Sequence, residues 1–277
     1  MKTAALLCFM ALAGIALSGL VSASDETLSV GIVPQFPPEQ IFVTWTPVLE
    51  TLESDLDTTF ELRSFQSIPD FERAFIRGEL DIAYMNPYHI IMANESQGYV
   101  PIVRDNNRRL SGVLVVRNDS GITEVTQLDG KTVAFPSPNA FGASLYMRAL
   151  LKEREKVDIE PVYVMTHTNA YRHVVTGRAA AGGGVRRTLD REPESLRAQL
   201  RILYETPETY PHPIVIHPRV PEAQRERIQK ALLELGQTAE TAELLKRIQI
   251  PNPTATGLQD YQELQDLGLE RFVVQPN

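Results

Sequence analysis

The stretch Phe135-Pro-Ser-Pro-Asn-Ala-Phe-Gly-Ala-Ser144 joins an apolar run, KTVAF, to a helical one, SLYMRALL. A strand end, a proline-punctuated loop and a helix start therefore meet there. The first N–H groups of a helix lack intrahelical acceptors and carry partial positive charge, so this junction suits an anion. Two other stretches carry groups of the same kind. His167 ends the apolar run PVYVMTH, where its imidazole can donate one hydrogen bond when neutral and add charge when protonated. Arg186 and Arg187 follow Gly182 to Gly184, three residues without side chains that let a backbone approach a ligand closely. The arginines can supply a cation to an anionic ligand, although at least one of them reads as a solvated surface charge.

Groups for making and breaking bonds are not assembled in this way. The sequence has no G-x-S-x-G, no H-E-x-x-H and no Gly-rich dinucleotide fingerprint. The triple glycine is not followed by Gly-Lys-Ser/Thr, so it is no nucleotide P-loop. Carboxylates concentrate in helical faces such as ETLESDLD and PEAQRERIQ, where solvated surface is the default. His212 and His217 differ by five positions and so face opposite sides of a strand, which does not suit a shared metal. These features point to capture of a ligand, with no catalytic residue, cofactor or metal.

The elements that must hold these groups alternate. LSVGIV (28–33), FELRSF (60–65) and LDIAYM (80–85) read as strands, separated by helical patterns over 39–56 and 68–79. YHIIMANESQG reads as a further helix, and YVPIVRD and LSGVLVVRN (110–118) as strands. The pattern then restarts: KTVAF, a helix from Ala140, PVYVMTH (161–167), a helix ending at Gly177, and AAAGGGV. Two such halves predict two α/β lobes with largely parallel sheets. RILYET and PIVIHP (213–218) follow, then two helices that return to cover the first lobe. The predicted crossings lie near 111–118 and 205–214. In such an arrangement the ligand sits between the carboxyl ends of both sheets, at loops 34–38, 84–89, 136–143, 167–170, 182–187 and 209–213.

Residues 1–23 read as a cleavable secretory leader, with Lys2 before an apolar core and Val21-Ser-Ala23 at the cut. The remaining 254 of 277 residues carry 26 Lys and Arg against 35 Asp and Glu, a net charge of −9. The leader also removes Cys8, the one cysteine, which excludes thiolate catalysis, thiol metal sites and redox switching in the mature chain. The acidic balance argues against nucleic acid as a partner.

VGIVPQFPPEQ, RGELDIAYMNPYHI, LDGKTVAFPSPNAFGASLYMRALL and ILYETPETYPHPIVIHPRVP fall in an order that resembles the phosphate/phosphite/phosphonate periplasmic binding proteins of ABC transporters. The likeness covers nearly the whole mature chain. It implies a type II periplasmic binding fold of two lobes, each a mainly parallel sheet flanked by helices, with the ligand cleft between them. The implied lobes are 24–112 with 214–277, and 113–213. The implied function is capture of a small anionic ligand by lobe closure and delivery to a permease, as a periplasmic monomer. A sensory binding protein that signals to a membrane histidine kinase is the alternative.

By the resemblance, Tyr84, Asn86 and Tyr88 come from a loop that brings an aromatic into the cleft, and Phe36 from the matching loop of the first strand. Tyr84 reads equally as core, and Phe36 as packing between prolines. His167 falls where the family has a histidine beside the anion, while Thr168 and Asn169 also read as the cap of the next helix. Tyr210 and His212 fall where the family places a ligand-facing polar residue, and Arg186 supplies a cation. The family's consecutive hydroxyls are here Ala140, Phe141 and Gly142, following Ser137-Pro138-Asn139. The backbone N–H groups remain, and Phe141 can pack against a ligand or under the helix. AAAGGGVRR also lacks the acidic residues common in the family at that loop, which argues against an amino-bearing ligand.

Overall fold

A computed structural model describes residues 27–276, so the predicted leader lies outside the described residues. The first half of the chain forms β1 (Thr27–Ile32), α1 (Pro38–Leu56), β2 (Thr59–Arg63), α2 (Ile68–Ile76), β3 (Ile82–Tyr84), α3 (Pro87–Gln97) and β4 (Val100–Asp105). The second half forms β5 (Gly112–Arg117), β6 (Thr132–Phe135), α4 (Tyr146–Ala149), β7 (Glu160–Tyr163), α5 (His167–Val175), β8 (Ala181–Val185), α6 (Arg186–Asp190), α7 (Glu194–Arg197) and β9 (Leu200–Glu205). π-wound turns, Phe141–Leu145 and Leu150–Arg154, extend α4 at both ends. The chain returns through β10 (Ile214–Ile216), α8 (Glu222–Glu234), α9 (Ala239–Arg247) and β11 (Pro253–Ala255), then two 3-10 segments, Leu258–Leu267 and Leu269–Phe272.

The strands make two sheets, ordered β11-β4-β10-β3-β1-β2 and β7-β6-β8-β5-β9. β1 runs parallel to β2 and β3, and β6 parallel to β7 and β8. β5 and β10 run antiparallel to their neighbours, so both sheets are mixed. The reason lies in the path of the chain. Strands built by βαβ units end at the cleft, whereas β5 and β10 each enter their sheet from the other one. They begin at the cleft: Gly112 pairs with Val185 at the end of β8, and Ile214 with Tyr84 at the end of β3.

Local chemistry sets the element boundaries. In α2, the Ser67 hydroxyl caps the start by accepting from Asp70 N at 3.3 Å, and Ile68, Phe71 and Phe75 form its buried stripe. Asn86 caps α3 in the same way through His89 N at 2.9 Å, with Pro87 at the first helical position. The strand predicted over 161–167 stops at Tyr163. Met165 turns left-handed at φ 74°, and Thr166, not Thr168 or Asn169, caps α5 by accepting from Asn169 N. His167 is therefore the first residue of a helix rather than the last of a strand.

The first crossing lies earlier than predicted, over 106–111, because Val113 to Val116 are fully buried within the second sheet. Its partner runs over 206–213, and the two are tied by reciprocal bonds between Leu110 and Thr209, at 2.9 and 3.0 Å. The C-terminal end makes contacts between the lobes. Arg148 donates to Phe272 O at 2.8 Å and Val274 N donates to Asn139 Oδ1 at 3.0 Å, so the tail reaches onto the second lobe. At the far edge of that lobe every residue of β7 is exposed, as is the following Met165.

Candidate functional site in the interlobe cleft

Each of the six predicted loops places a residue on one small cavity: Gln35, Asn86, Phe141, His167, Val185 and His212. Ala140 and Gly142 line it too. Its volume is about 10 Å³, room for about one water. Phe141 is 2% exposed and stacks on Tyr146 with centroids 5.7 Å apart, so it serves the cavity wall and the helix together. The first helix N–H to find a helical acceptor is that of Ser144, bonded to Ala140 O at 2.7 Å. The three before it are the first-turn donors expected at a helix start.

Both cleft histidines are kept neutral. Burial lowers the His167 pKa to about 4, and burial followed by the Arg187 charge lowers that of His212 well below its usual value. The Gln35 amide lies 2.9 Å from His212 Nε2 and donates to it, which puts the His212 proton on Nδ1. Nδ1 has no partner among the described residues and is buried, so it is an unused donor on the cavity wall. Thr188 gives its hydroxyl proton to Val185 O, so its oxygen accepts from His167 Nδ1 at 3.2 Å. The sign for stability follows directly. A folded pKa of about 4 against about 6.5 unfolded makes the His167 contribution complete above pH 6.5 and lost as pH falls toward 4, a change of about 3 kcal/mol. The melting temperature should thus fall steadily from pH 7 to pH 4.5, and His167→Gln should flatten that slope.

Beside the cavity, a buried carboxylate ties the lobes together. Glu72 of α2, 1% exposed, lies 2.9 Å from His89 Nε2 and accepts from Asn139 Nδ2 at 3.1 Å. Asn139 also donates to Val274 O and accepts from Val274 N, while Asn86 donates to Asn139 O at 3.2 Å. Asn139 thus spends its side chain on protein partners, and Tyr88 is buried in α3 against the core. Glu72 escaped sequence reasoning. Its one signal was a charge within the apolar spacing Ile68, Phe71, Phe75.

The other predicted residues lie around the cavity rather than on it. Tyr84 ends β3, packs on Trp45 at 5.1 Å and stacks on His212 at 5.5 Å. Its hydroxyl pKa is raised by burial, against the opposing charge of Arg187 beside it. Phe36 lies under the Arg191 guanidinium at 5.5 Å. Tyr210 is held by Arg104 and Arg109, whose guanidinium carbons stand 4.0 and 4.1 Å from its ring centroid. Arg186 pairs with Glu205 at the surface. The triple glycine lets β8 meet its own lobe closely. A Cβ on Gly183 would lie 2.1 Å from Ala143 O, and one on Gly184 would lie 1.8 Å from the Tyr171 hydroxyl.

Val185 also lines a second cavity, of about 420 Å³, between the crossings and the second lobe. Arg108 and Arg109 of the first crossing line it together with Arg186, Arg187 and Arg191 of the α6 region. Asp190 and Glu208 are the acidic residues on its wall.

Comparisons place this geometry among known proteins. The family described as ABC transporter, phosphonate, periplasmic substrate-binding protein matches residues 30–261. A binding protein component of an ABC phosphonate transporter from Pseudomonas aeruginosa superposes with a TM-score of 0.81 at 14% identity, covering 91% of this chain and 89% of that one. A protein from Prochlorococcus marinus in complex with methylphosphonate gives 0.80 at 15% identity, over 90% and 99%. A protein from Xanthomonas citri bound to ATP gives 0.74 at 16%, over 89% and 98%. At these identities the structural likeness speaks for the fold, while the family match spans both crossings and every cleft loop. This chain therefore belongs to the phosphonate-type periplasmic substrate-binding proteins of ABC transporters.

Proposed function

We propose that this protein captures a phosphorus oxyanion between its two lobes and presents the closed form, as a monomer, to an ABC permease. Residues 1–23 act as the export leader, and the two sheets, with the crossings at 106–111 and 206–213 between them, are the bodies that open and close. The observation that carries this reading is the convergence of six loops on one buried point beside a helix start. Two neutral histidines and first-turn N–H groups would surround the ligand there. Opening about the paired crossings must precede binding, because the closed cavity is smaller than a phosphonate group. Relatives of this fold in complex with methylphosphonate and with ATP support a phosphorus oxyanion as the ligand class.

The test is thermal unfolding with methylphosphonate, phosphite and phosphate at millimolar concentration. A ligand present at about 100 times its dissociation constant adds about 2.7 kcal/mol, which raises the melting temperature by about 5–10 °C for a chain of this size. His212→Ala and His167→Ala should each weaken the binding found about tenfold. The absence of any shift with all phosphorus oxyanions, ATP and tripolyphosphate included, would remove this reading.

A further inference from the structure

The small cavity and the larger one differ in charge as well as size. The small cavity carries no charged side chain on its wall, and its histidines are neutral. The larger wall holds five arginines against Asp190 and Glu208, a local charge of +3 on a chain whose net charge is −8. Arg186 is satisfied by Glu205. None of Arg108, Arg109, Arg187 and Arg191 forms a salt bridge with a described carboxylate. Unpaired guanidinium groups repel one another. Arg191 shows this: although the residue as a whole is exposed, desolvation of its guanidinium and then the charges of Arg187 and Arg108 lower its pKa.

These arginines are held in place rather than free to spread apart. Asp105, fully buried, accepts from the N–H groups of Asn107 and Arg108 at 3.0 and 2.7 Å and so fixes the loop that carries Arg108 and Arg109. Arg109 stacks on Tyr210, and Arg191 lies over Phe36. Arg187 lies in α6 and Arg191, four residues on, is its C-terminal cap in helical conformation, so the two project from one side. Arg191 and Arg187 also reach the first lobe, through the Phe36 ring and the Tyr84 hydroxyl, so the cavity lies where the second lobe, the crossings and the first lobe adjoin.

We propose that this arginine cavity is the charge-recognising part of the binding site, and that the ligand is a chain of two or more linked phosphates rather than a single phosphonate. This rests on the reading of the protein as a phosphorus-oxyanion receptor and names its substrate class. A volume of about 420 Å³ lies in the range of small-molecule sites, and guanidinium forks match phosphate oxygens two at a time. A single phosphonate offers three oxygens to four guanidinium groups without a carboxylate partner, whereas a chain of linked phosphates offers oxygens to each of them.

The test is calorimetric titration of the whole mature protein with tripolyphosphate, ATP and methylphosphonate, repeated for Arg108→Gln and Arg191→Gln. The expected result is that tripolyphosphate or ATP binds at least tenfold tighter than methylphosphonate. Each substitution should then weaken the polyphosphate about tenfold and methylphosphonate about twofold at most. Equal binding of tripolyphosphate and ATP would assign recognition to the phosphates alone, and tighter binding of ATP would add a contribution from the nucleoside; both support the proposal. Binding of methylphosphonate without either polyphosphate would overturn it while leaving oxyanion capture intact. Polyphosphate binding that is indifferent to both arginines would overturn it too, and binding of nothing would remove both readings. Far-UV circular dichroism and an unchanged melting temperature without ligand show that the variants are folded. Charge-retaining Arg191→Lys should recover part of the lost affinity.

Discussion

Replacing Gly183 by alanine should cost more than 3 kcal/mol, and a failure to accumulate folded protein would be consistent with that. The added Cβ would sit 2.1 Å from Ala143 O and 2.4 Å from Phe135 Cδ1. The first is a backbone atom of the helix start that forms the cavity, so no rotamer change relieves the contact. Either β8 or that helix must shift within an interior of native density, and overpacking of this kind costs about 1–3 kcal/mol even where side chains can yield. Denaturant unfolding measures the loss. A cost below about 1 kcal/mol would show that β8 and the helix can slide apart, against the close approach described here. Gly112→Ala should behave alike, because its Cβ would lie 1.9 Å from Gly142 O.

Glu72→Ala should lower stability by about 3 kcal/mol, or about 6–12 °C in melting temperature. The carboxylate is the acceptor for His89 Nε2 and Asn139 Nδ2, and its removal leaves two buried donors unmet. The loss is also directional, because Asn139 belongs to the second lobe and the tail is bonded to it. The variant should populate a more open form, seen as a larger radius of gyration in small-angle scattering without ligand. Glu72→Gln keeps the shape but presents an N–H₂ where an acceptor is required, so it should fall between the parent and the alanine variant. An unchanged radius of gyration in both variants would separate Glu72 from closure and leave it a stabilising group only.

Much of the architecture was legible because periodicity and punctuation agree. The helices over 39–56 and 68–79 and the strands around Val30 and Ile82 carry strong apolar patterns with capping or breaking residues at their ends. The antiparallel sense of β5 and β10 was not legible, since an apolar run reads alike in both directions. β11 has three residues and no pattern to read. At the site, the loops could be found from topology alone, but the role of each side chain could not. The triple glycine shows why: close backbone approach is what its composition implies, yet the approaching groups are Ala143 O and the Tyr171 ring rather than a ligand. Glu72 and Arg191 were invisible for the opposite reason. Glu72 sits on α2 and Arg191 just after α6, where a charge ordinarily faces water, and only the packing of those helices turns the one inward and brings the other beside Phe36.

The bare edge at β7 bears on how an exported chain survives at high concentration. Val162 and Tyr163 stand exposed on the outermost strand of the second sheet, with Met165 just beyond. An open strand of this kind can template pairing with another copy. Here the strand is only four residues long, begins with the charged Glu160, and has Pro161 as its second residue. A proline removes one rung from any added ladder, and the left-handed turn at Met165 ends the strand before a longer register can form. The sequence therefore protects its most adhesive border by brevity and by a missing N–H, and Pro161→Val would be expected to lower solubility before it altered the fold.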